Sequence, residues 1–251
     1  NRFARAAAVS GTRARSQAEI DQGLRAFMLG VYNNMVLGLA ITGLVALGTY
    51  MLSTTTAPDG SLALTALGAA VYTSPLRWVL MLSPLAFIFF FSFKIESLQP
   101  RTALIMFFAF AALMGISMSS IFLVFTGQSI VQVFFITAAA FGSLSLYGYT
   151  TTRSLSGMGT FLFMGLIGLI LAMIVNIFLG SSALGFAVSV IGVLIFAGLT
   201  AWDTQRLKEM YLFNNFDTAT ATKASVMGAL SLYLNFINMF QFLLALLGDR
   251  E

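Results

Sequence analysis

The chain of 251 residues has no cysteine and no histidine, and only four prolines. Without these side chains there can be no disulfide, no thiolate chemistry, no zinc site built on Cys or His and no histidine-ligated haem. The Ser-His and Cys-His pairs of nucleophilic catalysis are excluded for the same reason. Charge is scarce as well. Only 9% of residues are charged, against about 25% in an ordinary soluble domain, so the polar surface is too small to cover the chain in water. Phosphate-binding loops and dinucleotide motifs are missing too, because the glycines sit within apolar helical stretches and not after strands. A retinal protein would need a lysine inside the last helix, and that segment has none. No residue set reads as catalytic or metal-binding, and nucleic-acid binding has only a short arginine tail behind it.

What is abundant is apolar length. Hydrophobic residues make up 59% of the chain, and the apolar runs repeatedly reach 18 residues or more. That is enough to cross about 30 Å of hydrocarbon at 1.5 Å per residue. Outer-membrane strands would instead alternate apolar and polar residues in segments of about ten. The fold class expected is an all-α membrane protein, a bundle of seven transmembrane helices. The spans predicted are 27–52, 76–93, 102–125, 131–149, 160–179, 183–202 and 226–247. Residues 1–23 form a basic, polar tail, and 24–251 a membrane domain. The first apolar run is too long for a signal-peptide core of about 7–15 residues, so it reads as a span. The loop 53–73, with Pro58-Asp59-Gly60, is expected to hold a short interfacial helix. The last span is rich in polar side chains and stands open as a re-entrant or shielded segment.

Lysine and arginine test this arrangement. Arg2, Arg5, Arg13, Arg15, Arg25, Lys94, Arg101, Arg153, Arg206, Lys208 and Lys223 fall on one side, and only Arg77 and Arg250 on the other. The positive-inside rule then places the N-terminus in the cytoplasm.

Few groups inside the spans can carry chemistry. Asp203 abuts the sixth apolar run beside Trp202. Desolvation at that depth disfavours the charged form, which makes Asp203 a candidate proton-sensitive switch. An ion pair with Arg206, three residues on, or plain exposure at a helix end would account for it equally. In the last span Ser231, Asn235, Asn238 and Gln241 recur at four, three and three residues, on one helical stripe. Unpaired amides in hydrocarbon cost several kcal/mol, so this stripe should face the bundle interior. It is either a polar path or a set of interhelical hydrogen bonds. Asn176, the serines Ser117, Ser119 and Ser120, and Asn33 and Asn34 are candidate partners.

Four stretches together resemble the BAX inhibitor-1 family in its bacterial YccA-like branch. They are Phe27–Gly43, Phe141–Tyr149 with Arg153–Gly159, Thr200-Ala-Trp-Asp-Thr-Gln-Arg206 and Ala229–Phe240. The resemblance implies a seven-helix bundle with its last helix near the centre, in a bacterial inner membrane. Characterised members are pH-sensitive calcium leak channels in which two aspartates on the last two helices share a proton and govern opening. The first aspartate maps onto Asp203 and the second onto Asn235. An Asp–Asn pair can be hydrogen-bonded, but it loses the coupled titration and one ligand charge for a hard cation. Some members carry a basic residue after the second span that latches the first aspartate, and Lys94 matches it; Arg206 is the other latch candidate. The expected function is a cation leak with Asp203 as gate and Ca2+ as cargo. No cofactor and no enzyme activity are expected. The alternative is a non-conducting protein that modulates a membrane-anchored AAA protease through its exposed tail. Substituting Asp203 would touch only the flux function, and deleting the tail only the protease-linked one.

Overall fold

In a computed structural model, residues 17–94, 97–214 and 218–250 are described. Seven long helices account for most of them: α1 (Gln17–Ser53), α2 (Leu76–Lys94), α3 (Pro100–Met118), α4 (Gly127–Thr150), α5 (Ser156–Leu179), α6 (Ser182–Phe213) and α7 (Thr218–Leu247). Six of them are long and apolar enough to cross a membrane by themselves. The second span counts as a seventh when taken with the short helical segment Ala66–Thr73, to which α2 is joined across a 63° bend. The protein is a multi-pass, all-α membrane bundle.

The helix ends follow local chemistry. The Thr126 and Ser181 side chains accept from the amides of Ser129 and Leu184 and so cap α4 and α6, satisfying donors that a helix start leaves free. Pro100 occupies the first turn of α3, where its missing N–H costs nothing. Gly180, at φ +60°, ends α5 in the left-handed conformation that glycine adopts without strain. The loop after α1 holds a feature absent from the sequence reading, a two-stranded hairpin pairing Thr54–Thr56 with Leu62–Leu64. Its turn is set by Gly60 at φ +84° and by the Asp59 carboxylate, which accepts from the Ser61 amide and hydroxyl. The expected short helix follows it as Ala66–Thr73, and it breaks at Ser74-Pro75.

Two boundaries move in ways that matter for the site. α6 does not stop near Trp202 but continues about three turns further, to Phe213. α7 is one unbroken helix, so the re-entrant alternative for the last span gives way to a full-length one. α7 packs against α1, α3, α4 and α6, and its Leu232, Tyr233 and Met239 are fully buried. The resemblance had implied this central position. A polar clamp holds it there. Thr42 on α1 donates to the Ala111 carbonyl on α3 at 2.8 Å, and the Tyr233 hydroxyl sits 2.6 Å from Thr42. Since the Thr42 proton is committed to a carbonyl, Tyr233 is the donor of that pair. Rings of Phe107 and Phe110 meet Tyr233 edge-on at 5.7 and 5.8 Å.

One end of the bundle carries the start of α1 and the α2–α3, α4–α5 and α6–α7 connections. Arg25, Lys94, Arg101, Arg153, Arg206, Lys208 and Lys223 lie toward it. The tail arginines Arg2, Arg5, Arg13 and Arg15 are outside the described residues. The opposite end holds the hairpin, Arg77 and Arg250. There the chain end is tied down by the Thr126 amide to the Asp249 carbonyl (3.0 Å) and the Asp249 amide to Ser129 Oγ (2.9 Å).

A buried carboxylate between the last two helices

Asp203 is 4% exposed. Because α6 runs on past it, it is neither at a helix end nor at an exposed border, and one of the two structural alternatives for this residue falls away. Its Oδ2 accepts two hydrogen bonds from α7, from Ser231 Oγ and from Asn235 Nδ2, both at 2.8 Å. These donors are four residues apart and so share one helix face. On the other side Arg206 Nη2 lies 3.0 Å from Oδ1. The N–H does not point at the oxygen, so Oδ1 has a countercharge without a hydrogen bond. The Arg206 side chain is 50% exposed and its guanidinium also lies over the Trp202 ring at 4.7 Å. The charge is therefore balanced by a group with one side in a wetter place. Of the two latch candidates the structure pairs Arg206 with Asp203, while Lys94 ends α2 exposed, with no ion pair to Asp203.

The remaining polar residues do not extend this cluster. Asn238 gives its amide to the Leu234 carbonyl of its own helix (2.8 Å), and Gln241 is exposed. Asn176 accepts from the Ser181 amide and shapes the α5–α6 turn. Ser119 bonds the Ile116 carbonyl and Tyr72, while Ser117 and Ser120 line a cavity away from α7. Asn33 is exposed. A helical repeat placed the amides on one stripe, but only Ser231 and Asn235 meet Asp203. No continuous polar path runs along α7 from them.

The neighbours of Asp203 in sequence each hold a different partner. Gly148 on α4 presses on Ala201, where a Cβ would overlap the Ala201 carbonyl, and Gly159 on α5 makes room for the Trp202 ring. Thr204 bonds Ser145 (2.9 Å), which bonds Tyr32 on α1 (2.5 Å). Gln205 accepts from the Leu155 amide and donates to the Arg153 carbonyl, at 2.7 and 2.8 Å, and Lys208 donates to the Tyr149 carbonyl at 2.8 Å. Sequence reasoning had given no role to Tyr32, Ser145, Thr204 or Gln205. The signal was available, because all four lie inside the 27–43, 141–149 and 200–206 stretches that carry the resemblance, and this structure brings those stretches together.

A cavity of about 540 Å3 opens between α2, α6 and α7, with Arg206 and Ser231 on its wall. It extends past Met210 and Ala224 toward the α6–α7 connection. Beyond Asn235 the way is filled by Phe236, Met239 and Phe240, all buried.

A central helix in a multi-pass bundle, donating two hydrogen bonds to a buried carboxylate on its neighbour, defines the class of protein. The family model described as "Inhibitor of apoptosis-promoting Bax1" matches residues 24–251. The chain belongs to the BAX inhibitor-1 family. It is 46% identical over 251 residues to an uncharacterized protein of Caulobacter vibrioides, covering 100% of this chain and 99% of the relative. It is 42% identical over 231 residues to the inner membrane protein YbhL of Escherichia coli K12, covering 91% and 94%. An uncharacterized protein of Rickettsia prowazekii is also 42% identical over 231 residues, with 92% of each covered.

Proposed function

We propose that this protein is a cation leak of a bacterial inner membrane, closed by the contact between Asp203 and α7 and opened when Asp203 takes up a proton. The observation that carries the reading is a carboxylate 4% exposed, hydrogen-bonded across to α7, whose one ion-pair partner among the described residues stands half-exposed on a cavity wall. While Asp203 is charged, one ion pair and two charge-assisted hydrogen bonds pin α6 to α7. A neutral acid removes the ion pair and weakens both hydrogen bonds, so the pin loosens. The cavity between α2, α6 and α7 supplies the entry, and the packed side chains beyond Asn235 are the closed segment. The charge bias of the two ends supports a cytoplasmic side for this entry. The name of the Escherichia coli relative supports the inner membrane.

Position 235 modulates the switch. Its amide donates to Oδ2, where a second carboxylate would repel Asp203 unless the two shared a proton. This chain therefore places one carboxylate at the contact and not a pair.

The test is calcium flux into liposomes holding the purified protein, at acid and at neutral pH. Wild-type flux should rise on acidification. Asp203→Asn should conduct at one level regardless of pH, and Asn235→Asp should steepen the pH response and move it. A folded wild type and a folded Asn235→Asp that both stay silent would sink the leak. Weight would then pass to the interaction role, in which a membrane-anchored AAA protease grips the tail of residues 1–23.

A further inference from the structure

At the opposite end of the bundle from Asp203 lies a second cavity, of about 380 Å3. It sits where the bent entry to α2 meets the end of α3, and four polar side chains reach it: Tyr72, Arg77, Ser117 and Ser120. Its remaining wall is apolar and includes Leu80, Met81 and Ile116. Met81 is four residues further along α2 than Arg77, about 6 Å deeper along the helix. Ile116 is likewise further from the bundle end than Ser120. Past Arg77 and Ser120 the wall deepens onto apolar Leu80, Met81 and Ile116, with Ser117 beside the last.

We propose that this cavity holds the headgroup phosphate of an anionic phospholipid, with the acyl chains running down over Leu80 and Met81. Three observations support the charge and class of the ligand. Arg77 has no carboxylate within ion-pair distance among the described residues; its guanidinium stacks over Trp78 at 4.9 Å and keeps donors to spare. No Asp or Glu lines the cavity, so a zwitterionic lipid would bring an ammonium group with nothing to balance it. The two serines also differ from many hydroxyls in the bundle, as Ser53 and Ser225 do. Thr42, Thr137, Ser143, Ser189 and Ser119 each return a hydrogen bond to a helix carbonyl, as polar groups in lipid must. Ser117 and Ser120 make no hydrogen bond of this kind and face the cavity. Arg77 with two serines offers a phosphate both charge and donors. The apolar floor selects a lipid over a free phosphate ion, and Trp78, half exposed beside the mouth, is of the type that anchors at headgroup depth.

The experiment uses tryptophan quenching in nanodiscs. The chain has two tryptophans, so Trp202→Phe leaves Trp78 as the only reporter. Acyl-brominated phosphatidylglycerol or phosphatidylcholine is titrated into otherwise unlabelled discs. Half-maximal quenching should need about fivefold less phosphatidylglycerol than phosphatidylcholine, the preference one arginine near the membrane surface provides. Arg77→Gln should abolish the preference while phosphatidylcholine still quenches, which shows that the variant is inserted and folded. Arg77→Lys should keep part of it. The double change Ser117→Val with Ser120→Ala should reduce it with Arg77 intact. Equal quenching by the two lipids would overturn the proposal. So would a preference that responds to Arg77 but not to the serines, which would mean diffuse surface attraction. Loss of the preference on adding inorganic phosphate to the buffer would assign the site to the free ion and overturn the lipid.

Discussion

α5 and α7 are both uninterrupted helices of spanning length, and they sit in opposite environments. The most apolar stretch of α5 has a mean hydropathy of 2.7 and is 11% buried, whereas that of α7 has 1.7 and is 50% buried. In a water-soluble protein the order would be reversed. Here lipid is the solvent, and the most apolar helix goes to the outside because hydrocarbon serves it as well as protein does. α7, carrying Ser231, Tyr233 and Asn235, is drawn to the centre because its polar groups need partners that lipid cannot supply. Hydropathy therefore reports which helices span, and polarity within a span reports which of them is central.

The sharpest way to break this contrast is to add the same side chain to a glycine of each kind. Gly148→Leu drives a side chain into the Ala201 backbone and should destabilise the bundle by about 3 kcal/mol, read as loss of folded monomer on heating in detergent. Gly168→Leu on α5 meets nothing within 4 Å and should stay within about 0.5 kcal/mol of wild type. Equal losses would mean that α5 is not lipid-facing. Next in size, Arg206→Ala leaves the Asp203 carboxylate buried with two hydrogen bonds and no countercharge. It should cost about 2 kcal/mol, read as a lower unfolding midpoint in detergent. Phe178→Ala, removing a ring 84% exposed at the end of α5, should cost less than about 0.5 kcal/mol.

Tyr233→Phe falls between Arg206→Ala and the lipid-facing changes on α5. It removes one buried hydrogen bond while Thr42 keeps its carbonyl partners, and about 1 kcal/mol is expected by reversible unfolding. The smallest effect belongs outside the spans. The Ser61 hydroxyl and amide hold the Asp59 carboxyl below its ordinary range. The folded hairpin thus binds that proton less readily than the unfolded loop. The turn's protection should be full near neutral pH and fade as pH falls through the acid range, measured as hydrogen exchange at the Ser61 amide. Asp59→Asn should show the faded protection at every pH, with the bundle and any flux untouched.

Much of this could be read from residues in order. Apolar runs long enough to cross hydrocarbon located the helices, and the basic residues sorted onto two ends. The stripe of Ser231 and Asn235 pointed to the interior, and the Ala-Trp-Asp-Thr-Gln-Arg stretch marked Asp203. The hairpin was missed because three-residue strands of threonine and leucine carry no period distinct from a loop. The end of α6 was missed because hydropathy stops where lipid stops, while a helix continues as long as its backbone is bonded. The failure of Asn238 and Gln241 to join the cluster was also beyond spacing, which places a residue on a face without saying what stands opposite.

The sequence by itself determined that this chain spans a membrane, which segments do so, and that few charges are buried among them, because the length and polarity of each run decide its partition into lipid independently of its neighbours. Only the tertiary structure decided which polar groups meet. That Arg206 and not Lys94 faces Asp203, and that Asn235 rather than Asn238 donates to it, both depend on how helices far apart in sequence rotate to satisfy one another. In a medium without water those mutual hydrogen bonds have no substitute.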